Sequence, residues 1–244
     1  METTAYIALS RQAVLRREMA VIANNLANMN TPAYKGESML FVEHVVKSKG
    51  DQSFIPTQLS YARDVAQITD LTEGPILSTG NNLDIAIKGE GYFAVESPDK
   101  ELYTRNGRFQ LDAEGQLVTQ HGFPVLSDAG TPFVFGPTDT TINIAKDGTV
   151  STNNGDLGRL RIVKFESEQR LNKEGASLLS TKQEPEDVEA PNLIQGALEG
   201  SNIEPILEMT KMIETHRAFE STRKFIDRED SRQKKMIEQL GPRV

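Results

Sequence analysis

Two long helix-forming runs stand at opposite ends of the chain. Residues 3–29 and 201–240 repeat apolar side chains at spacings of three, four or seven, which is the period of one helix face. In the first run these lines comprise Leu15, Met19, Ile22 and Leu26, and Ile7, Val14 and Val21. In the second run the line comprises Met209, Met212, His216, Phe219 and Ile226. Because two apolar lines on one helix require more than one neighbour, we predict that the terminal helices pair into a coiled-coil-like stem. The further neighbours can belong to this chain or to other subunits, and the period favours neither.

The first helical run stops within Ala23–Lys35. Several asparagines precede Thr31 and Pro32, and the proline disfavours the α conformation of Thr31. Asparagine side chains also compete for backbone hydrogen bonds. We therefore predict a helix end that carries polar side chains into a turn.

The middle of the chain changes to short alternating segments. Residues 76–182 include Leu83–Lys88 and Arg159–Phe165, where apolar and polar or small residues alternate as they do in half-buried strands. Asp147-Gly148 and Asn106-Gly107 are typical tight turns. The predicted fold class is α+β, with a central all-β body that forms a sandwich or a partly closed barrel.

These patterns predict five segments along the chain. They are an N-terminal stem helix at 1–30, an extended linker at 31–75, the β-rich body at 76–182, a second linker at 183–200 and a C-terminal stem helix at 201–244. The first linker follows from scattered apolar residues without a clear period, and the second from its prolines and carboxylates. Asn202 is predicted to cap the last helix, with Pro205 in its first turn.

Composition argues against several classes of partner. The net charge of −8 and the pI of about 5.1 disfavour a nucleic-acid ligand, which needs a basic footprint. The chain has no cysteine, and therefore no disulfide or thiolate site. No apolar run approaches the roughly 18 residues of a membrane span. Residues 1–10 lack a basic segment, so we expect no cleavable signal peptide.

We predict no catalytic, cofactor-binding or metal site. Gly89-x-Gly91-x-x-Ala94 follows a strand but enters another β-type segment, so no helix N-terminus can meet a pyrophosphate. The three histidines, His44, His121 and His216, lie in separate segments without metal-ligand spacing. No serine sits in a nucleophile elbow. The chain is therefore predicted not to be an enzyme.

Several blocks of sequence resemble the signatures of one family. Ala23–Lys35 reads ANNLANMNTPAYK, which is similar to the N-terminal signature of bacterial flagellar rod and hook proteins. Gly80–Phe93 and Tyr103–Thr119 resemble two blocks of that family's body, and Leu198–Ile203 and Met212–Glu220 resemble its C-terminal block. The chain departs from the family pattern at Ala33-Tyr34, where Gly-Phe is usual.

The resemblance implies a structural subunit of the flagellar basal-body rod, in its proximal part. Such a subunit assembles through its terminal helices into the helical shaft that transmits torque across the periplasm. The implied partners are copies of itself, other flagellar rod subunits and, in transit, the flagellar type III export apparatus. No cofactor is implied.

The resemblance also implies where contacts between subunits lie. The residues predicted for the assembly interface are Ile7, Val14, Val21, Asn24, Asn25, Leu26, Asn28, Met209, Met212, His216, Phe219 and Ile226. For the three asparagines, local capping of the turn is the alternative. Phe41 and Val45 match the short aromatic-x-x-x-apolar element that the export gate reads in this family. A core or interface pair is the alternative reading of that spacing.

Two other classes of function stay open at this point. A distal-rod or hook subunit would differ from a proximal-rod subunit in its position and not in its mechanism. A periplasmic binding module would instead fold stably without self-assembly and would carry a concave polar groove on its β body.

Overall fold

The computed structural model describes residues 2–47, 58–139 and 141–240, with side chains described at 6–40, 66–139 and 141–239. The chain divides into two compact units. The first comprises residues 1–27, 37–70 and 204–244, and the second comprises residues 28–36 and 71–203.

The first unit contains both terminal helices and one pair of strands. Its elements are α1 (Glu2–Ala27), β1 (Glu37–Lys47), β2 (Gln58–Thr69) and α2 (Pro205–Leu240). The two predicted terminal helices are confirmed. α2 begins at Pro205, whose fixed φ and missing N–H suit the first helical position. Neither helix is long and apolar enough, over its described residues, to cross a membrane.

The strands β1 and β2 lie where the sequence predicted an extended linker. They pair antiparallel from Glu37 opposite Thr69 to Lys47 opposite Gln58. The register shifts between Leu40 and Phe41. Such a bulge moves the following side chains to the other face, so the two-residue period that marks a strand is interrupted. Residues 48–57 of the predicted linker lie outside the described residues.

The second unit is built from short strands. They are β3 (Ile76–Ser78), β4 (Ile85–Ile87), β5 (Tyr92–Glu96), β6 (Glu101–Thr104), β7 (Phe109–Leu111), β8 (Leu117–Thr119), β9 (Ile142–Ile144), β10 (Thr149–Thr152), β11 (Gly155–Arg159), β12 (Ile162–Lys164), β13 (Asn172–Gly175), β14 (Leu178–Ser180), β15 (Glu186–Asp187), β16 (Leu193–Gln195) and β17 (Ala197–Glu199). A short 3₁₀ helix spans Glu168–Arg170.

The strands of the second unit pair antiparallel in several small sheets. The largest has the order β13-β14-β6-β5-β12-β15, and a three-stranded sheet has the order β11-β10-β9. Three further sheets pair β16 with β4, β17 with β3, and β7 with β8. The predicted β-rich body is therefore present, but across the ranges that the structure describes no sheet closes into a barrel.

Three strands of this body, β15, β16 and β17, lie where the sequence predicted the second linker. β15 is two residues long and pairs with β12, whereas β16 and β17 are three residues long and pair with strands more than 100 residues earlier in the chain, β4 and β3. A three-residue strand is too short to show a period, and its partner is not a neighbour in sequence. The 183–200 segment is therefore part of the body.

The core of the body surrounds Phe93. Its ring is fully buried and packs edge-to-face on Phe109, with ring centroids 5.1 Å apart. Aliphatic side chains from several strands complete this cluster: Ile85, Ile87, Val95, Leu117, Val125, Val150, Leu160 and Leu193. A smaller cluster joins Tyr92, Tyr103 and Phe165.

One predicted turn has a different role. β6 and β7, which flank Asn106-Gly107, do not pair with each other, and neither residue has a positive φ. Gly107 instead lies against the backbone of Ile85, where an added Cβ would come within 1.7 Å of the carbonyl oxygen. The glycine is required by close backbone approach and not by a turn. The predicted turn at Asp147-Gly148 does join a hairpin, β9 to β10, and Gly148 has a φ of +90°.

Candidate functional site

The first feature of interest is the side chain of Asn25, which is 3% exposed. Its Nδ2 donates to the backbone oxygen of Glu37 at 2.8 Å and to Oε2 of Glu208 at 3.1 Å. Its Oδ1 accepts from the backbone N–H of Glu37 at 3.0 Å. Asn25 therefore ties α1 to the start of β1 and to the first turn of α2 within one chain.

The inward side of α2 follows a regular spacing. Its less exposed side chains recur at alternating intervals of four and three: Glu208, Met212, Thr215, Phe219, Thr222 and Ile226. Glu208, Thr215 and Thr222 are the buried members, at 6%, 7% and 8% exposed. The hydroxyl of Thr222 donates to the backbone oxygen of Ala218 at 2.9 Å, which satisfies it locally. The inward seam of α2 is thus half polar.

On α1, Ala8 and Ile22 are the buried apolar side chains of the described range. Glu18 is half-buried, and burial raises the pKa of its carboxyl, while the nearby Lys211 ammonium partly offsets that rise. The ammonium of Lys211 also bonds Oε1 of Glu208 at 2.6 Å. Charged groups therefore lie along the facing sides of α1 and α2.

The residues predicted for assembly are divided by the structure. Asn25 is buried, and a second group is half-buried: Ile7, Val14, Val21, Leu26, Asn28, Met212, Phe219 and Ile226. Asn24, Met209 and His216 are exposed. A sequence search for apolar residues alone does not find Glu208, Thr215 and Thr222. Their spacing with Met212, Phe219 and Ile226 was the signal that could have identified them. Phe41 and Val45 lie in β1, and their side chains are outside the described part of the structure.

The second feature is the turn of residues 28–36, which belongs to the β-rich unit. The N–H of Thr31 donates to Asn28 O at 3.0 Å, and that of Tyr34 to Thr31 O at 3.2 Å. Ala33 has a φ of +55°. That left-handed conformation costs an alanine roughly 1–2 kcal/mol and costs glycine almost nothing. Ala33, which stands where the family pattern has Gly, is therefore a strained residue on a left-handed backbone.

A buried ion cluster holds this turn on the body. Oε1 of Glu199 accepts from Lys35 Nζ, and Oε2 accepts from Arg105 Nε, each at 2.6 Å. The side chains of Lys35, Arg105 and Glu199 are 11%, 7% and 2% exposed. The N–H of Gly74 adds a bond to Oε1 at 3.0 Å. One carboxylate thus joins three separate segments of the second unit.

The backbone around this carboxylate is also fixed. The N–H of Ala33 donates to Glu199 O at 2.8 Å, and the guanidinium of Arg105 donates to Gly89 O at 2.6 Å and to Gly91 O at 3.0 Å. Burial acts to raise the pKa of Glu199, but the Arg105 charge and the hydrogen bonds from Lys35, Arg105 and Gly74 outweigh it and hold the pKa below its ordinary value. The carboxylate is therefore stabilised in its charged form.

Asn202 was predicted to cap α2, but its side chain instead bonds the turn of residues 28–36 and the segment at Thr72. Its Oδ1 accepts from the N–H of Gly36 at 2.8 Å, and its Nδ2 donates to Thr72 O at 3.2 Å. α2 starts three residues later, at Pro205. Lys173 lies over the ring of Tyr34, with Nζ 5.1 Å from the centroid. The turn thus has polar contacts along most of its length.

The described side chains contain no group of three or more His, Asp or Glu residues that could hold a metal ion. The hydrogen bonds of Asn25 and the Glu199 cluster run between protein groups and fasten one segment to another. Both arrangements fix segments of the chain in place, and neither presents a group for chemistry.

Three family models match the chain in order. "Flagella basal body rod protein" matches residues 6–35, "Flagellar hook protein FlgE/F/G D1 domain" matches 86–152, and "Flagellar basal body rod FlgEFG protein C-terminal" matches 194–240. The first match ends at Lys35, within the turn of residues 28–36, and the third contains both Glu199 and Glu208.

Full-length relatives agree with these matches. The flagellar basal-body rod protein FlgF of Caulobacter vibrioides is 37% identical over 99% of both chains. FlgF of Escherichia coli is 35% identical over 94% of this chain and 95% of its own. FlgG of Agrobacterium fabrum is 33% identical over 87% of this chain and 89% of its own. The chain belongs to the flagellar basal-body rod protein family, whose members are structural proteins and not enzymes, and within that family it is most like FlgF.

Proposed function

We propose that this chain is a subunit of the proximal rod, which self-assembles through its terminal helices into the helical shaft that transmits torque across the periplasm. The observation that carries the proposal is the apolar surface left exposed on both helices. On α2, Ile206, Met209 and Ile213 are 75%, 51% and 53% exposed, and on α1, Tyr6 and Leu9 are 63% and 48% exposed. Apolar surface of this kind marks sites of protein association.

The polar inner seam of α2 supports the same proposal. A helix pair that encloses Glu208, Thr215 and Thr222 while it exposes isoleucine gains little from burial within one chain. Isolated helices are marginal in water, and their stability comes from packing an apolar face. A coiled-coil-like stem is thus proposed to be completed by neighbouring subunits. The proposed partners are other rod subunits and copies of this chain. The chain is proposed to reach them through the flagellar type III export apparatus.

The relatives named FlgG favour one alternative position. They match most of this chain at 33% identity, so a place in the distal rod follows from the same helices with different neighbours. Locating the chain by difference density in an isolated basal body separates the two positions.

The assembly role is tested on the half-buried valines of α1. Replacing Val14 or Val21 by aspartate is expected to abolish swimming, because both valines are half-buried and a carboxylate loses its hydration when a neighbouring subunit packs on that face. The β-rich unit should keep its thermal unfolding midpoint, which circular dichroism of the purified chain measures. Arg11→Asp, at an exposed position of the same helix, is the control and should swim. Normal swimming of both valine variants would exclude this face as an assembly surface.

A further inference from the structure

The sequence holds two Asn-Gly dipeptides, Asn106-Gly107 and Asn154-Gly155. Asparagine is a chemically labile residue, and it is most labile where glycine follows it. The glycine nitrogen attacks Cγ of the asparagine, the bond from Cγ to Nδ2 breaks, and ammonia leaves with the glycine N–H proton. Water then opens the resulting succinimide at either carbonyl carbon and yields aspartate or isoaspartate. Glycine favours ring closure because it has no Cβ in the way and tolerates the backbone rotation that the ring requires.

The fold holds the first dipeptide rigidly. Gly107 is buried, and a Cβ added to it would come within 1.7 Å of the carbonyl oxygen of Ile85. The N–H of Ile85 donates to Gly107 O at 2.9 Å, and Oδ1 of Asn106 accepts from the N–H of Arg108 at 3.1 Å. The backbone therefore has no space to rotate, and ring closure at Asn106 requires local unfolding.

The second dipeptide lies in an open turn. Asn154 and its neighbour Asn153 form the turn that joins β10 to β11, where Thr152 pairs with Gly155. Asn154 and Gly155 are both exposed, and a Cβ added to Gly155 would meet no atom within 4 Å. Exposed loop tips are the parts of a fold that open most readily. Ring closure at Asn154 therefore disturbs only the turn itself.

The Asn154 side chain links this turn to the loop of residues 136–139. Its Nδ2 donates to Oδ1 of Asp139 at 2.8 Å and to Oγ1 of Thr138 at 3.1 Å. The other carboxylate oxygen, Oδ2 of Asp139, accepts from the N–H of Gly136 at 2.7 Å. The Gly136 N–H and the Asn154 amide both hold the pKa of Asp139 below its ordinary value, so this carboxylate is charged at neutral pH. The link thus depends on an amide donor facing a carboxylate.

We propose that Asn154 is a site of spontaneous deamidation in the folded chain, that Asn106 is protected, and that the reaction releases the 136–139 loop from the β10–β11 turn. Deamidation replaces the Nδ2 donor by a carboxylate oxygen beside the Asp139 carboxylate, and like charges at this distance repel. The isoaspartate product also adds a methylene to the backbone of the turn. The proposal is independent of the proposed rod function.

Peptide mapping of the purified full-length chain tests the site. The chain is incubated in mildly alkaline buffer, either folded or in guanidinium chloride. Mass spectrometry follows Asn154 in the tryptic peptide 147–159 and Asn106 in the peptide 102–114, which cleavage after glutamate releases. In the folded chain Asn154 is expected to convert at least about tenfold faster than Asn106, which must wait for local unfolding. In denaturant the two rates should agree within about a factor of two, because each glycine is then unconstrained.

Asn154→Gln is the matched control, because glutamine has to close a six-membered ring and reacts far more slowly. This variant should lose the conversion at residue 154 and leave the rate at Asn106 unchanged. Three results would each overturn the proposal: equal rates at Asn154 and Asn106 in the folded chain, conversion of Asn153 in place of Asn154, or an Asn154 that reacts only in denaturant.

The effect on the loop is tested with the product in place. Asn154→Asp is expected to speed the amide hydrogen exchange of Gly136 and Asp139 by at least about threefold, because their loop loses its link to the turn. Asn143→Asp introduces the same charge at an exposed position of β9 and should leave that exchange unchanged. Equal exchange in these two variants would contradict the release of the loop.

Discussion

Replacing Glu199 by alanine is expected to destabilise the β-rich unit by about 3–5 kcal/mol. The carboxylate is 2% exposed and lies 2.6 Å from both Lys35 Nζ and Arg105 Nε. Its removal takes the nearest counter-charge from two nearly buried cations and leaves Arg105 only the longer contact of 3.9 Å with the exposed Glu73. A buried charge that loses its partner is costly. Urea unfolding of the full-length chain, followed by tyrosine fluorescence since the chain has no tryptophan, measures the loss.

The matched control is the same substitution at an exposed ion pair. Glu186 pairs with Lys164 at 3.3 Å, and the two side chains are 72% and 40% exposed. Glu186→Ala should cost no more than about 1 kcal/mol, because solvent screens such pairs. Equal losses of stability in the two variants would show that the Glu199 cluster stabilises the chain no more than an exposed ion pair does.

The same carboxylate gives the β-rich unit a dependence on pH. The pKa of Glu199 is held below its ordinary value of 4.5 in the folded chain. Its contribution to stability is therefore complete above pH 4.5 and is lost as the pH falls through the lower folded pKa. We expect the difference in stability between the native chain and Glu199→Ala to shrink steadily below that pH.

Replacing Phe93 by alanine is also expected to cost about 3–5 kcal/mol of the stability of the β-rich unit. The ring is fully buried, and its edge-to-face contact with Phe109 is lost together with the apolar area. The short strands around it leave little freedom to fill the cavity. Thermal and urea unfolding of the purified chain report the change.

Val134→Ala is the control for this position. Val134 is 54% exposed, and its truncation should change the free energy of unfolding by about 0.5 kcal/mol or less. A Phe93→Ala chain as stable as Val134→Ala would mean that the body does not depend on the cluster around Phe93.

The sequence predicted the elements whose apolar residues repeat at regular intervals within one continuous segment. Apolar spacing of three and four gave both terminal helices, and alternation in Leu83–Lys88 and Arg159–Phe165 identified the regions of β4 and β12. It did not reveal β1 and β2, because their bulge interrupts the alternation at Leu40. It did not reveal β16 and β17 either, because three residues carry no period and their partners are distant.

The two features of the candidate site were harder to predict for a related reason. Lys35 and Glu199 are 164 residues apart in sequence, and Asn25 and Glu208 are 183 apart. A charged residue is ordinarily solvated, so nothing local distinguishes Glu199 from the chain's other carboxylates. Thr215 and Thr222 were missed because a search for apolar lines passes over hydroxyls, even where the spacing continues through them.

The stretch Ala23–Lys35 is continuous in sequence but divided in the fold, since α1 ends at Ala27 and the following turn belongs to the β-rich unit. Substitutions before that boundary act on the stability of the first unit, and substitutions after it act on the stability of the β-rich unit. In genetic terms, the Ala23–Lys35 stretch therefore consists of two regions that act separately. Second-site suppressors of a swimming defect at Asn25 belong in β1 and α2, whereas suppressors of one at Lys35 belong in the strands around Glu199.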